Sequence, residues 1–135
     1  MRYTLIFVID KKGNVLLLNR KNNPAMGTWC GVGGHIEKGE TVTECARREL
    51  FEETGISDSK NIKIIGVYKK IKSYIFTLIV EDLYKTTKNL NLSDEGILFV
   101  KNINWVLNPN NVGVTNETKK CIKYILGKTI NRSRK

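Results

Sequence analysis

The chain has few of the residues that build disulfide-rich, zinc-binding or disordered proteins. Its three cysteines, Cys30, Cys45 and Cys121, are odd in number and widely spaced, with no CxxC pair. That spacing argues against a disulfide framework and against a zinc site. Only two prolines are present and 41% of the residues are hydrophobic, which disfavours a disordered chain.

Long apolar runs are missing too. The N-terminal run from Tyr3 to Ile9 meets Asp10 at once and lacks the cationic region and cleavage site of a signal peptide. No run approaches the length of a membrane span. We therefore expect a cytoplasmic protein without a membrane partner. The length predicts a single domain over residues 1–135, with a basic tail from about residue 128. Its oligomeric state stays open between a monomer and a homodimer.

The charge is unevenly distributed. The chain has 23 Lys and Arg residues against 13 Asp and Glu residues, a net charge of +10. Six of the acids fall between Glu37 and Glu53, so the rest of the chain is more basic than the total indicates. A basic surface around an acidic site suits an anionic polyphosphate substrate. Nucleic acid is not expected as the main partner, because no aromatic-and-basic recognition motif is visible in the sequence.

The acidic segment predicts a helix with both of its ends marked. Thr41 followed three residues later by Glu44 is a capping box, which begins a helix. Gly55 stands where a glycine ends one. Elsewhere apolar runs bounded by turn residues predict strands, and a later helical spacing predicts a second helix that Gly127 ends. The predicted strands cover residues 3–9, 14–19, 29–32, 61–70, 73–81, 97–100 and 103–106; the second helix covers 115–126; loops cover 20–28 and 85–93; a turn is predicted at 33–34.

Three glutamates of the acidic helix share one face. Glu49, Glu52 and Glu53 lie at i, i+3 and i+4, within an arc of about 100°. Carboxylates this close repel one another and raise one another's pKa. A hard divalent cation removes that cost, and oxygen-only ligands favour Mg²⁺ or Mn²⁺. The alternative at this stage is a solvated acidic helix face.

The spacing around these glutamates follows a longer motif of 23 residues, from Gly34 to Ile56. Its defined positions are Gly34, Glu40, Arg48, Glu49, Glu52, Glu53 and Gly55, with aliphatic residues at Leu50 and Ile56. The chain thereby resembles the Nudix hydrolase family. The resemblance implies an α/β/α sandwich with a mixed, largely antiparallel sheet. It also implies hydrolysis of nucleoside diphosphates linked to another group, with the help of a divalent metal.

The resemblance assigns expected metal ligands and catalytic residues. The carboxylates of Glu49, Glu52 and Glu53 and the carbonyl of Gly33 are the implied metal ligands. Arg48 resembles the arginine that orients a metal-site glutamate by ion pairing; the alternative is a surface pair with Glu52 at i+4. Glu40 is expected to brace the joint between the loop and the helix. His35 occupies a position that the family leaves free, and we expect a turn residue rather than a base or a ligand.

A further acid and a substrate-binding segment complete the expected site. Glu95 fits the Glu-Gly position that precedes a strand in relatives, and its alternative is a turn carboxylate. The general base stays open between Glu49 and Glu95. The substrate-binding residues implied by the resemblance are Arg20, Trp29, Cys30 and Gly34. Arg20 and Lys21 could instead be solvated, and Trp29, Tyr74 and Trp105 could be core aromatics.

The expected function is Mg²⁺- or Mn²⁺-dependent cleavage of a nucleoside triphosphate to the monophosphate and pyrophosphate. The segment from Gly27 to Gly34 resembles the MutT-like branch, whose substrates include oxidised nucleotides such as 8-oxo-dGTP. Cys30 departs from that branch, since relatives often carry there an Asn that reads a purine edge. The alternatives are a Nudix hydrolase of another class, such as a nucleotide-sugar or ADP-ribose enzyme, and a non-catalytic nucleotide or RNA binder.

Overall fold

A computed structural model describes residues 2–22, 26–57, 59–68, 72–87 and 95–133. These ranges contain seven strands and four helices. The strands are β1 (Tyr3–Asp10), β2 (Asn14–Arg20), β3 (Trp29–Cys30), β4 (Val32–His35), β5 (Lys63–Tyr68), β6 (Ser73–Val80) and β7 (Gly96–Asn102). The helices are α1 (Val42–Thr54), α2 (Leu83–Thr86), α3 (Ile103–Leu107) and α4 (Asn116–Ser133).

The described strands form one mixed sheet, in which β1 is the shared centre. Its whole length pairs in parallel with β6, from Tyr3↔Ser73 to Asp10↔Val80. On its other side β1 pairs antiparallel with β4 over its first half and with β2 near its end. All the remaining pairings are antiparallel: β5 with β6, and β2 with β3 and β7. The predicted mixed, largely antiparallel sheet is confirmed.

Helices cover both faces of the sheet, because side chains on β1 and β2 alternate between two separate cores. The core on the α1 side contains Ile6, Val8, Leu16, Leu18, Ala46 and Leu50. The core on the opposite side, under α3 and α4, contains Phe7, Ile9, Val15, Leu17, Ile103, Val106, Ile122 and Ile125. The α/β/α sandwich expected from the sequence is therefore confirmed.

Both ends of α1 follow the sequence signals. The side chain of Thr41 accepts from the Glu44 amide at 3.1 Å, and the Glu44 carboxylate accepts from the Thr41 amide at 2.9 Å. Gly55 adopts a left-handed conformation, φ 76°, and its amide donates to the Phe51 carbonyl at 2.8 Å. The capping box and the terminal glycine are confirmed. They fix where α1 begins and ends, and therefore which helical turns the glutamates occupy.

Two predictions from the later part of the chain are wrong. The segment predicted as a strand at 103–106 is helix α3, which begins where the Asn102 side chain accepts from the Asn104 amide at 2.8 Å. Ile103 and Val106 are both buried at helical spacing, a pattern that four residues cannot distinguish from a strand. Helix α4 also continues through Gly127 to Ser133, so the predicted tail begins as helix. A glycine destabilises a helix by about 1 kcal/mol relative to alanine, which is too little to end the helix.

Smaller differences concern turns. Gly33 and Gly34 lie inside strand β4 rather than in a turn, and His35 is the last residue of that strand. Residues 83–86 form the short helix α2, where a loop was predicted from residue 85. Parts of three predictions, at 23–25, 69–70 and 88–93, lie outside the described residues. None of the helices in the described ranges combines the length and apolar character needed to cross a bilayer.

Asp10 ties the β1–β2 turn to the helix α2. Its carboxylate is only 4% exposed and accepts four hydrogen bonds. Oδ1 accepts from the amides of Lys12 and Asn14, both at 2.9 Å, and Oδ2 accepts from Asn14 Nδ2 at 3.2 Å and from the Leu83 amide at 3.0 Å. Burial raises the pKa of Asp10, but the hydrogen bonds from Leu83, Asn14 and Lys12 outweigh it, and the net pKa is lowered.

Replacing this carboxylate should therefore cost stability. In Asp10→Asn one oxygen becomes an amide that meets the Leu83 N–H donor to donor, so we expect the free energy of unfolding at pH 7 to fall by about 1–3 kcal/mol. A pKa lowered in the folded state gives stability above the unfolded pKa that is lost as pH falls. The wild type should thus lose more stability than the variant between about pH 5 and pH 3, measured by urea unfolding.

Glu81→Gln is the matched control for this measurement. Glu81 makes an exposed ion pair with Lys11 at 2.6 Å, close to Asp10 in the chain topology. An exposed pair contributes little, so its loss should leave the free energy of unfolding almost unchanged. If Asp10→Asn and Glu81→Gln were equally stable at pH 7, the hydrogen bonds of Asp10 between the β1–β2 turn and α2 would not contribute to stability.

Candidate active site

Arg48 joins three carboxylates and a strand end. Its Nε and Nη2 donate to both oxygens of Glu40, at 2.6 Å and 3.0 Å. Its Nη1 donates to Glu49 Oε1 at 3.0 Å and to Glu52 Oε2 at 3.2 Å. A further bond from Nη2 reaches the His35 carbonyl at 3.2 Å. Both contacts considered from the sequence, the pair with Glu49 and the i+4 pair with Glu52, are present together.

Glu40 is held in its charged form by this arginine. The bidentate hydrogen bonds from Arg48 lower the pKa of Glu40 to about 2, and the Glu37 amide also donates to it, at 3.1 Å. The same bonds raise the pKa of Arg48. Glu40 therefore braces the loop before α1 against the helix, which is the structural task expected of it.

Glu49 lies against the backbone of β4. Its side chain is 12% exposed, and a Cβ added to Gly34 would come within 2.4 Å of Glu49 Oε1. A larger residue at position 34 would therefore displace the Glu49 carboxylate from this position. Burial raises the pKa of Glu49; Arg48 opposes this, and the negative charges of Glu52 and Glu95 add to it.

The strand beneath Glu49 is pressed closely onto β1. A Cβ on Gly33 would meet the Thr4 carbonyl oxygen at 2.0 Å, so this close approach of two backbones requires glycine. The Thr4 hydroxyl also donates to the Gly34 carbonyl at 3.4 Å. The Gly33–Gly34 backbone is in this way kept beside the acidic face of α1.

A second group of predicted residues reaches the same side of the sheet. Burial raises the pKa of the Cys30 thiol, the nearby Arg20 guanidinium lowers it, and the charges of Glu95 and Glu53 raise it further. These influences place Arg20, Glu95 and Glu53 each within electrostatic reach of Cys30. Arg20 is opposite Gly96 in the β2–β7 ladder, which brings the neighbouring Glu95 to the end of β2.

The Arg20 side chain has an incomplete set of partners. Its Nε is buried and makes no hydrogen bond with any residue that the structure describes. Burying a guanidinium N–H without a partner is costly. An anionic ligand such as a phosphate would supply the missing acceptor.

Trp29 does not join this group. It precedes Cys30 in β3, so its ring lies on the opposite side of the sheet, packed with the core under α3 and α4. Its nearest aromatic neighbours are Phe99 and Trp105, with ring centroids 5.2 Å and 5.3 Å away. Tyr74 packs against the α1-side core, as one of the readings of that residue predicted.

His35 and two small residues complete the surroundings. The His35 ring packs on Tyr3 with centroids 4.3 Å apart. Cys45 and Thr4 were not predicted as part of the site. The Cys45 sulfur lies 3.4 Å from the Thr4 hydroxyl and 3.4 Å from the His35 carbonyl, and Arg48 Nη2 approaches it at 3.8 Å. The position of Cys45 three residues before Arg48 on the helix was the signal that could have found it.

The donor set fits a hard cation, although the ligands are not preassembled. Within the described residues no three acidic, cysteine or histidine side chains converge on one point suited to a metal ion. The physical reason is visible at Arg48, whose guanidinium holds Glu49 and Glu52. Carboxylate oxygens beside a glycine backbone, with the Glu49 carboxylate half-buried, remain the kind of ligand that Mg²⁺ or Mn²⁺ takes.

The architecture belongs to a class of α/β/α sandwich proteins with many solved members. The NUDIX domain of Shewanella oneidensis NrtR, solved with ADP-ribose, matches at a TM-score of 0.74 and 15% identity, over 96% of this chain and 88% of that one. The MutT protein of Methanosarcina mazei matches at 0.67 and 20% identity, over 95% and 94%. At these identities the likeness shows the fold.

The sequence assigns the family. The family model of the NUDIX domain matches residues 1–115, and the chain belongs to the Nudix family. An ADP-ribose pyrophosphatase of Methanocaldococcus jannaschii is 46% identical over 61 residues, which are 45% of this chain and 36% of that protein. A mouse (Mus musculus) oxidized purine nucleoside triphosphate hydrolase is 44% identical over 55 residues, 41% of this chain and 35% of that protein. The matched part thus spans little more than a third of either relative.

The arginine fork should be irreplaceable by a lysine. Arg48→Lys keeps the charge but cannot bind both oxygens of Glu40 while donating to Glu49 and Glu52. We expect the free energy of unfolding to fall by about 1–3 kcal/mol, since carboxylates in the α1 face lose charge-assisted hydrogen bonds. Urea unfolding at neutral pH measures this change.

The neighbouring Arg47 provides the matched control. It is exposed on the same helix, and Arg47→Lys makes the same chemical change one residue away. It should leave the free energy of unfolding almost unchanged. If Arg48→Lys were as stable as Arg47→Lys, the guanidinium network would not contribute to stability.

Proposed function

We propose that this chain is a divalent-metal-dependent pyrophosphohydrolase that cleaves a nucleoside triphosphate to the monophosphate and pyrophosphate. The observation that carries the proposal is the position of a helix carboxylate against a glycine strand, with the charge of a distant acid acting on it. Glu49, from α1, lies against Gly34, and the charge of Glu95, which precedes β7, acts on Glu49. Arg20 and Cys30 lie on the same side.

The metal ligands in this proposal are the carboxylates of Glu49, Glu52 and Glu53 and the carbonyl of Gly33. When bound, a divalent cation would acidify water and neutralise phosphate charge at this point. Glu52 is exposed and Glu53 half-buried, so both can turn toward a cation. Because Arg48 holds Glu40 with two bonds, it can stay in place while Glu49 and Glu52 exchange their bonds to it for a cation.

The remaining roles follow from the same placement. Arg20, with its buried and unpartnered Nε, would bind a phosphate oxygen. The general base would be Glu49, whose pKa burial raises and which Arg48 orients. Glu95 is the rival base, and a comparison of kcat for Glu49→Gln and Glu95→Gln decides between the two.

The substrate is proposed from the segment that leads to the site. Cys30 faces the side of Glu53 and Glu95, so it can meet the nucleobase of a nucleotide whose phosphates lie near Glu49. The match to an oxidized purine nucleoside triphosphate hydrolase supports a triphosphate substrate, with an oxidised purine as one option. A thiol cannot read a purine edge with two hydrogen bonds, so we expect weak selectivity for the oxidised base.

A second candidate is hydrolysis of ADP-ribose or a nucleotide sugar. It is supported by the 46% identity to an ADP-ribose pyrophosphatase, over a segment of similar length. The chemistry at phosphorus would use the same acids. The two candidates differ only in the group beyond the second phosphate, and the products distinguish them.

Hydrolysis should need both a divalent cation and Glu53. A panel of nucleoside triphosphates, oxidised triphosphates, ADP-ribose and nucleotide sugars should yield monophosphate and pyrophosphate from a triphosphate in the presence of Mg²⁺. Glu53→Gln keeps the shape and removes one hard ligand charge, so kcat/KM should fall by at least about a hundredfold. In EDTA the variant should melt no lower than the wild type, because carboxylate repulsion is relieved.

Glu117→Gln, an exposed substitution on α4, is the charge-matched control and should retain full activity. Ribose phosphate and AMP as the main products would replace the triphosphate assignment by the second candidate. Turnover without a divalent cation, or full activity of Glu53→Gln, would contradict the assignment of the metal site itself.

Cys30 should affect base selectivity more than rate. An asparagine there adds a group that can donate to and accept from a purine edge, so Cys30→Asn should shift the ratio of kcat/KM for 8-oxo-dGTP over dGTP by about 5- to 30-fold. Competition between the two nucleotides measures this ratio directly.

Cys121→Asn is the control, because Cys121 lies on α4 at the opposite core. It should leave the ratio unchanged. An unchanged ratio in Cys30→Asn as well would mean that the side chain at this position does not contact the base.

A further inference from the structure

Three aromatic rings and a lysine form a partly exposed group that the candidate active site does not use. We call Trp29, Phe99, Lys101 and Trp105 the aromatic–lysine patch. The Trp29 ring makes edge contacts with Phe99 and Trp105, tilted by 60° and 82°. Lys101 Nζ lies over all three rings, 5.3 Å from the Trp29 centroid, 5.2 Å from Phe99 and 4.6 Å from Trp105.

The patch lies on the face of the sheet away from the acids. Leu98 points into the α1-side core, so the alternate residues Phe99 and Lys101 point to the other side, where Trp29 packs. Phe99 is 39% exposed and Trp105 is 38% exposed. In the described part of the chain β7 pairs only with β2, so β7 is an edge strand of the described sheet.

The segment that carries most of the patch is cationic. Residues 96–127, which form β7, α3, the first part of α4 and their connections, contain four lysines and one acid, Glu117. Near the patch, Lys119 Nζ donates to the Asn108 carbonyl at 3.1 Å, in the turn that follows Trp105. The turn also contributes the exposed amide side chain of Asn110. A partner with this face must therefore be anionic as well as able to stack.

We propose that the aromatic–lysine patch binds a single-stranded polynucleotide. Its bases have exposed π faces that stack on Trp105 and Phe99, and its phosphates pair with Lys101 and the lysines of α4. When a base takes the position over the Trp105 ring, the Lys101 ammonium moves to the adjacent phosphate. A duplex, whose bases are stacked on one another, supplies the charge without the free base faces.

This surface is independent of the proposed hydrolase site. The two lie on opposite faces of the sheet, because Trp29 and Cys30 are consecutive residues of one strand. A neutral apolar partner would have to desolvate Lys101 with no opposite charge in return. The linear sequence shows no aromatic-and-basic recognition motif here, because the three rings come from separate segments that only the folded sheet brings together.

The chain carries its own reporter for this proposal. It has two tryptophans, Trp29 and Trp105, and both lie in the patch. An oligo(dT) of about 12 nucleotides, within the site sizes of single-strand binding folds, is titrated into the full chain in EDTA. We expect saturable quenching of tryptophan fluorescence and, with a labelled oligonucleotide, a matching rise in anisotropy. EDTA removes divalent metal, so hydrolase activity does not enter the readout.

Two variants and two controls locate the binding. Trp105→Ala should weaken it about fivefold or more, the loss expected for one stacked base. Lys101→Met should weaken it and lower the slope of log affinity against log salt by about 0.7, the value for one phosphate of a single strand. Tyr84→Ala and Lys60→Met remove an exposed aromatic and an exposed cation elsewhere and should bind as the wild type does.

Several results would overturn the proposal. Absence of saturable binding would do so, as would an equal loss of affinity in Trp105→Ala and Tyr84→Ala. Displacement of the oligonucleotide by a mononucleotide or a duplex at the same concentration would also contradict it. If sedimentation instead showed a dimer that buries the tryptophans, the patch would be an interface between copies. Circular dichroism melts of each variant verify folding, and Trp105→Phe, which keeps a stacking ring, should restore most of the binding.

Discussion

The contact between the Arg48 guanidinium and the acids around it is the interaction on which the candidate site depends. Six of the chain's 13 acids are concentrated in residues 37–53, and such a cluster is unfavourable without a cation among them. Arg48 supplies that cation at the metal-free stage, with its fork on Glu40 and its third nitrogen between Glu49 and Glu52. The loop, the helix and the end of β4 are thereby held together.

The glycines of β4 explain why the acids meet the sheet at this point. A side chain at Gly33 would collide with the β1 backbone and one at Gly34 with the Glu49 carboxylate. Close packing of a strand on β1 and close approach of a carboxylate to that strand are thus parts of one arrangement. The alternation of β3 adds the second constraint, because consecutive residues must point to opposite faces. Cys30 falls on the side of the acids and Trp29 on the side of the aromatic–lysine patch. One strand of two residues therefore contributes to two chemically different surfaces.

The predictable part of the molecule was the part whose signals are local. The capping box at Thr41, the terminal Gly55 and the apolar runs of β1 and β2 are each signals of a few residues, and each was confirmed. Segments governed by distant packing were less accessible. Residues 103–106 form a helix because Asn102 caps them and two of their side chains reach the second core. Helix α4 continues through Gly127, although the local rule for glycine predicted its end there. Short apolar segments carry no periodicity long enough to distinguish a strand from a helix.

The sequence alone was enough to derive the acidic helix, its boundaries and the spacing of its glutamates, because helical geometry converts residue number directly into a position on a face. It also determined the family, through a motif contained in one continuous segment. The neighbours that distant segments bring to one another came only from the folded structure. The β2–β7 ladder brings Glu95 beside Arg20, and the three rings around Lys101 come from β3, β7 and α3. These contacts depend on strand register and on the face of the sheet to which each residue points. The pairing of strands that are far apart in the chain cannot be predicted from the sequence of either strand alone.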